Sequence, residues 1–97
     1  MNKSEAAAIA DAYIAKMQKE SQIDIEINHN ITEEHPIGYV FFYNSKEFWK
    51  TREFSVSLAG NGPLLVLRSS GELVVLPSYQ SVEKSILSMA QSTQLQG

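Results

Sequence analysis

The chain has 97 residues, enough for one domain with one hydrophobic core. It contains no cysteine, which excludes disulfides and thiolate zinc sites and suits a reducing compartment. Its net charge of −3, without a cluster of Lys and Arg, argues against nucleic acid as the main partner, because that binding depends on clustered cations that neutralise phosphates.

The N-terminal segment does not have the character of an export signal. Glu5 and Asp11 interrupt its alanine-rich stretch, whereas a secretory signal needs an uncharged apolar core. No apolar run approaches the length of a membrane span. We therefore expect one cytoplasmic domain over residues 1–97, with residues 91–97 as a frayed tail and no contact with a membrane.

A helix opens the pattern and a half-buried strand follows it. Ser4 is placed to cap the helix, which carries apolar residues at helical spacing and ends near Glu20. The stretch QIDIEIN alternates strictly, so Ile23, Ile25 and Ile27 point to one side of a strand. The polar connection HNITEEHPIG then leads to the next strand.

The middle of the chain is rich in aromatic residues. In the second strand, YVFFYN, Tyr39, Phe41 and Tyr43 share one face, and Val40 and Phe42 share the other. Residues 46–59 show no clean period. We expect an irregular excursion there, with a helical turn at its start, that folds its aromatic side chains onto the core.

A hairpin and a short helix complete the pattern. LLVLR and ELVVL predict the third and fourth strands, joined by a tight turn in which Gly71 supplies a positive φ. Ser81 is placed to cap the last helix. The order α-β-β-β-β-α favours an α+β fold, a four-stranded antiparallel sheet with an N-terminal and a C-terminal helix packed on one face.

Three of the four strands are apolar on both sides, which is more apolar surface than two helices on one face can cover. Either residues 46–59 fold across the second face, or that face is an interface with a second copy or another protein. In the latter case Tyr39, Phe41, Tyr43 and Trp49 are the best anchors, because aromatic side chains are enriched in interface cores.

Acidic residues are concentrated between Glu20 and Tyr43, where no Lys or Arg occurs. The stretch is consistent with solvated surface or with an acidic face directed at a basic partner. Its candidate contact residues are Asp24, Glu26, Glu33 and Glu34.

The sequence shows no catalytic constellation. Its two imidazoles, His29 and His35, lie in one polar loop, and their spacing with the neighbouring carboxylates matches no established metal motif. Whether Tyr43, Arg68 and Glu72 meet across the sheet is left open by the sequence. We expect no metal, no cofactor and no enzymatic activity.

The glycines before the third strand are backbone devices. A phosphate loop leads into a helix N-terminus and supplies free N–H groups, whereas GNGP leads into Pro63, which has none, and then into a strand. Gly60 and Gly62 permit a turn that strains other residues, and Asn61 tolerates left-handed geometry. With Gly71 in the hairpin, these residues form a structural pattern.

This pattern resembles the immunity protein 35 family, which includes the YrhB-type bacterial proteins. The resemblance lies in GYVFFYNSKEFWKT (residues 38–51), in LAGNGPLLVLRSSGELVVL (residues 58–76) and in the N-terminal helix, and so spans nearly the whole chain. It implies a non-enzymatic protein that binds a cognate bacterial toxin and neutralises it by direct contact. A holdase-like chaperone or a homo-oligomeric interaction module, either using the apolar sheet face, is the alternative, and an enzyme centred on His29 or His35 is the third possibility.

Overall fold

The computed structural model describes residues 1–58 and 62–96. Three α-helices occur in this part of the chain: α1 (Lys3–Ser21), α2 (Lys46–Thr51) and α3 (Val82–Gln96). Its six strands are β1 (Ile25–Ile27), β2 (Glu33–His35), β3 (Gly38–Phe41), β4 (Tyr43–Ser45), β5 (Leu64–Leu67) and β6 (Leu73–Val75). Two short 3-10 helices span His29–Ile31 and Phe54–Val56.

The strands form two antiparallel sheets. Four of them pair in the order β2-β3-β5-β6, and β1 pairs with β4 in a separate two-stranded sheet. The α+β class, the four-stranded antiparallel sheet and the two terminal helices are therefore confirmed.

The membership of the large sheet differs from the prediction. The strand expected from QIDIEIN is confined to Ile25–Ile27 and lies outside the large sheet, and Ile23 is exposed. Its place is taken by β2, which lies in the stretch HNITEEHPIG that we expected to be a polar connection. The connection was misassigned because β2 is a three-residue edge strand, and an edge strand can carry polar side chains on both faces.

The two helices lie on opposite faces of the large sheet, and the prediction that both pack on one face is wrong. Helix α1 covers the face formed by Tyr39, Phe41, Leu64 and Val66, and buries Ala6, Ala10 and Ile14 against it. On the other face Val40, Leu65 and Leu76 pack against side chains of α3, including Val82, Ile86 and Met89. Because β3 and β5 are apolar on both sides, each face needs its own cover.

Side-chain caps fix where the helices begin. For α1 the cap is Asn2, not Ser4 as expected: Asn2 Oδ1 accepts from Glu5 N at 2.8 Å, and Glu5 Oε1 accepts from Asn2 N at 3.0 Å. For α3 the cap is Ser81, as predicted, since its hydroxyl accepts from Lys84 N at 3.1 Å. The α3 backbone continues to Gln96, where the sequence predicted a frayed tail, and Gly97 lies outside the described residues.

The geometry explains why glycine is needed at two positions of the predicted pattern. Gly71 has φ = +76°, the left-handed value expected in the hairpin. A Cβ at Gly62 would lie 1.7 Å from the carbonyl oxygen of Leu76, so only glycine allows this approach of the two backbones. The next residue, Pro63, accepts from Leu76 N at 2.9 Å. Gly60 and Asn61 lie outside the described residues.

Candidate protein interface

The segment between β4 and β5 does not cover the second sheet face, which α3 occupies. It begins with α2, which confirms the helical turn predicted there, and it continues through the 3-10 helix Phe54–Val56 beside β4. Two polar side chains hold it there: Ser45 Oγ donates to Val56 O at 2.6 Å, and Asn44 Oδ1 accepts from Leu58 N at 2.8 Å. Ala59, the last residue of the predicted excursion, lies outside the described residues.

Helix α2 presents aromatic side chains at the surface. Its N-terminus is fixed by Ser45 Oγ, which accepts from Phe48 N at 3.0 Å, and it ends at Arg52, which adopts φ = +61°. The ring of Phe48 lies 5.4 Å from that of Trp49 and 6.2 Å from that of Phe54, between centroids. Phe54 is 87% exposed and the other two rings are partly exposed, so this aromatic cluster (Phe48, Trp49 and Phe54) lies at the surface.

Trp49 is held in place from two sides. Its indole Nε1 donates to the carbonyl oxygen of Glu26 at 2.8 Å, which joins α2 to β1. The guanidinium of Arg52 lies over its ring, 5.1 Å from the centroid. The ring is therefore oriented before any partner arrives, and it stays partly exposed.

The other three aromatic candidates lie inside the protein. Tyr39 and Phe41 are buried beneath α1, and Tyr43 is buried in the same core. Burial raises the pKa of the Tyr43 hydroxyl, with a smaller contribution from neighbouring Tyr13. Because α1 covers these rings, they belong to the core.

The four acidic candidates separate into two pairs. Asp24 and Glu26 are exposed at β1, and neither carboxylate forms an ion pair within residues 1–58 and 62–96. Glu33 and Glu34 lie in β2 and do have partners: Glu33 Oε1 is 2.9 Å from His35 Nε2, and Glu34 Oε2 is 3.1 Å from Arg68 Nη2. Of these four carboxylates, the two without an ion pair therefore lie at β1, near the aromatic cluster.

Arg68 joins the turn between β2 and β3 to the hairpin between β5 and β6. Its side chain donates to the Tyr39 hydroxyl at 2.9 Å and to the carbonyl oxygens of His35 and Pro36 at 3.0 and 3.4 Å. The hydrogen bond to the Glu34 carboxylate is the main reason that its pKa is raised. The sequence left open whether Arg68 meets Tyr43 and Glu72. The structure shows that it meets Tyr39 and Glu34 instead, because Tyr43 belongs to the smaller sheet.

Each histidine contacts one carboxylate. His29 Nε2 lies 3.0 Å from Asp11 Oδ1 on α1, and the ring packs edge-on against Phe41. His35 contacts Glu33 as described. Within the described part of the chain, no three His, Asp or Glu side chains come together to hold a metal ion.

Two clefts flank β1, and Glu26 lines both. One, of about 450 Å³, lies towards α2 and is bounded by Glu26, Ile27, Asn28, His29, Asn30, Trp49 and Arg52. The other, of about 260 Å³, lies towards α1 and is bounded by Asp11, Ile14, Ala15, Gln18, Ile25, Glu26, Ile27 and His29. The strand β1 therefore has a groove on each side, and the groove towards α2 adjoins the aromatic cluster.

The architecture is a small α+β domain that carries an aromatic cluster on its surface. The chain belongs to the immunity protein 35 family, whose model matches residues 4–87. This range includes every strand and reaches into α3. No curated protein and no solved structure gives a significant match to the chain. Among the described residues, no helix is long and apolar enough to cross a membrane.

Proposed function

We propose that this protein binds a cognate bacterial toxin in the cytoplasm by direct contact and neutralises it, without catalysis and without a cofactor. The observation that carries the proposal is the exposed aromatic cluster of α2 and the 3-10 helix after it, next to unpaired acidic side chains on β1. Family membership supports the general role, since immunity proteins as a class act on toxins.

The proposed contact surface consists of the aromatic cluster, Arg52 and the outer side of β1. Tryptophan and arginine are enriched among residues that dominate binding energy, and they act best when held in place before binding. Trp49 meets this condition through its bond to the Glu26 carbonyl and the guanidinium stacked on its ring. Phe54 supplies the largest exposed apolar area of the cluster.

Electrostatic steering in this proposal rests on Asp24 and Glu26. Their carboxylates form no ion pair in the described part of the chain, and both residues are exposed to solvent. The charge of Glu34 is already compensated by Arg68, and that of Glu33 faces His35. A basic toxin surface fits this side of the molecule.

The chaperone and homo-oligomer alternatives relied on an open apolar sheet face. Helices α1 and α3 cover the two faces, with Phe41, Leu64, Leu65 and Val40 fully buried. These alternatives therefore lose the surface on which they were based.

The test is co-expression with the toxin encoded next to the gene. The wild-type chain should restore growth and co-elute with the toxin in size-exclusion chromatography. Phe54→Ala should weaken both effects, whereas Tyr79→Ala should not, although the two rings are similarly exposed at 87% and 85%. A wild-type chain that neither restores growth nor forms a complex would contradict the proposal.

A further inference from the structure

The cleft between α1 and β1 has the form of a receptor for a single side chain, and we call it the α1–β1 socket. Two hydrogen bonds close its ends. At one end Gln18 Oε1 accepts from Ile25 N at 2.9 Å, and at the other Asp11 Oδ1 meets His29 Nε2 at 3.0 Å. Its volume of about 260 Å³ lies below the range of about 300–1,000 Å³ typical of small-molecule sites.

The floor and wall of the socket are apolar. Ile14, Ile25 and Ile27 are buried there with 4–5% of their surface exposed, and Ala15 is exposed on the helix beside them. An occupant would therefore need a hydrocarbon stem. Long basic side chains have this form, with an apolar stem and a charged head.

Two of the four polar side chains around the socket are carboxylates. Asp11 contributes a carboxylate, and Glu26, on the strand between the two clefts, lines both of them. The backbone of Ile27 adds a carbonyl. At the two ends of the β1–β4 pair, Asn28 N donates to Phe42 O and Lys46 N donates to Asp24 O. In an antiparallel pair every second residue bonds to the partner strand, so the N–H and C=O groups of Ile27 point away from β4. Within residues 1–58 and 62–96 the Ile27 carbonyl has no hydrogen-bond donor.

An apolar stem pocket rimmed by carboxylates and a free carbonyl matches a donor-rich cation. We propose that the α1–β1 socket receives an arginine side chain of the toxin, with its stem against Ile14 and Ile27 and its guanidinium between Asp11 and Glu26. Arginine is the best fit because its planar fork presents five N–H donors and no acceptor. This inference rests on the proposed function and adds the chemistry that the socket recognises.

The direct test needs no toxin. ¹⁵N-labelled protein is titrated with N-acetyl-arginine amide, and in parallel with the lysine and norleucine analogues, at constant ionic strength. The arginine probe should produce saturable amide shifts at Ala15, Glu26 and Ile27, tighter than the lysine probe. Glu26→Gln and Asp11→Asn should each weaken this binding about threefold or more, and Glu83→Gln on α3 should not. Shifts that do not saturate, or that norleucine reproduces, would overturn the proposal.

A second experiment uses the complex and separates the two proposals. Asp11→Lys places an ammonium group at the mouth of the socket, so it should lower toxin affinity at least tenfold in protein that circular dichroism shows to be folded, whereas Glu83→Lys should leave the affinity unchanged. If the wild type and Asp11→Lys restore the growth of toxin-producing cells equally, the socket proposal fails and the proposed function stands. If the wild type does not protect, the proposed function fails, and the probe titration alone judges the socket.

Discussion

Arg68 lies over the ring of Tyr39 and also donates to the hydroxyl of that residue. The guanidinium carbon is 4.7 Å from the ring centroid, and Nη1 is 2.9 Å from the hydroxyl oxygen. The same side chain bonds to Glu34 and to two backbone carbonyls, so a single residue joins three strands of the large sheet.

Arg68→Lys should lower the melting temperature, because an ammonium group cannot serve the ring, the carboxylate and the carbonyls at once. Circular dichroism on heating measures this change. Arg52→Lys is the matched control, since Arg52 stacks on Trp49 and forms no ion pair within the described residues. Equal losses in the two variants would contradict the assigned role of Arg68.

Phe41 and Phe54 should respond in opposite ways to substitution. Phe41 is fully buried, so Phe41→Leu should cost about 1–1.5 kcal/mol of unfolding free energy, and Phe41→Ala about 3–5 kcal/mol. Phe54→Ala should change stability by less than about 0.5 kcal/mol while weakening toxin binding. Urea unfolding and a binding assay on the same samples check both. A stable Phe41→Leu variant that loses binding would return Phe41 to the contact surface.

The two glycines should differ in what they tolerate. Gly71→Ala should lower stability by about 1 kcal/mol because of the positive φ, and Gly71→Asn by less, since asparagine adopts this geometry more readily. Gly62→Ala should be the more destabilising change, because its Cβ would collide with the Leu76 carbonyl. Chemical denaturation ranks the three variants, and a Gly62→Ala variant as stable as wild type would contradict the close approach.

Stability should fall above about pH 10 through Tyr43. Burial raises the pKa of its hydroxyl in the folded state, so folding favours the neutral form. The stabilisation is complete below the pKa of the unfolded chain and is lost as the pH rises through the higher folded value. Tyr43→Phe should flatten this alkaline slope in urea unfolding between pH 8 and pH 11. Tyr79→Phe, at an exposed ring, is the control, and an equal effect of both would contradict the prediction.

Asp24 and Glu26 should act on different rate constants of toxin binding. Asp24→Asn should lower the association rate at low salt, with little effect once salt screens the field. Glu26→Gln should mainly raise the dissociation rate, because Glu26 lines both clefts and lies within the proposed contact. Stopped-flow association at two ionic strengths, with surface plasmon resonance for dissociation, separates these effects. An Asp24→Asn effect that persists at high salt would contradict the steering role.

Local patterns in the sequence predicted most of the elements, and the resemblance predicted the family. The alternation of residues 39–43 placed Tyr39, Phe41 and Tyr43 opposite Val40 and Phe42, and the two cores show this division. Ser81 and Gly71 were identified from capping and turn chemistry, which act over a few residues.

Features that depend on distant contacts were missed. β2 is polar and short, and it is a strand only because β3 offers a backbone to pair with. The placement of the helices on opposite faces depends on how the chain crosses the sheet, which periodicity does not encode. The α1–β1 socket joins Asp11 and His29, 18 positions apart, and Arg68 reaches Glu34 across 34 positions. A charge pattern along the chain cannot reveal such pairs.

The opposite placement of α1 and α3 also affects how the protein can be made. Helix α1 is synthesised before any strand, so its side of the sheet can close as soon as β5 has left the ribosome. Helix α3 is synthesised after β6, and until then Val40, Leu65 and Leu76 have no cover. The nascent protein therefore passes through a stage in which one apolar sheet face is exposed. During this stage it depends on rapid completion or on the cell's chaperones. We expect a chain that ends before residue 82 to be prone to aggregation, because these side chains would stay exposed.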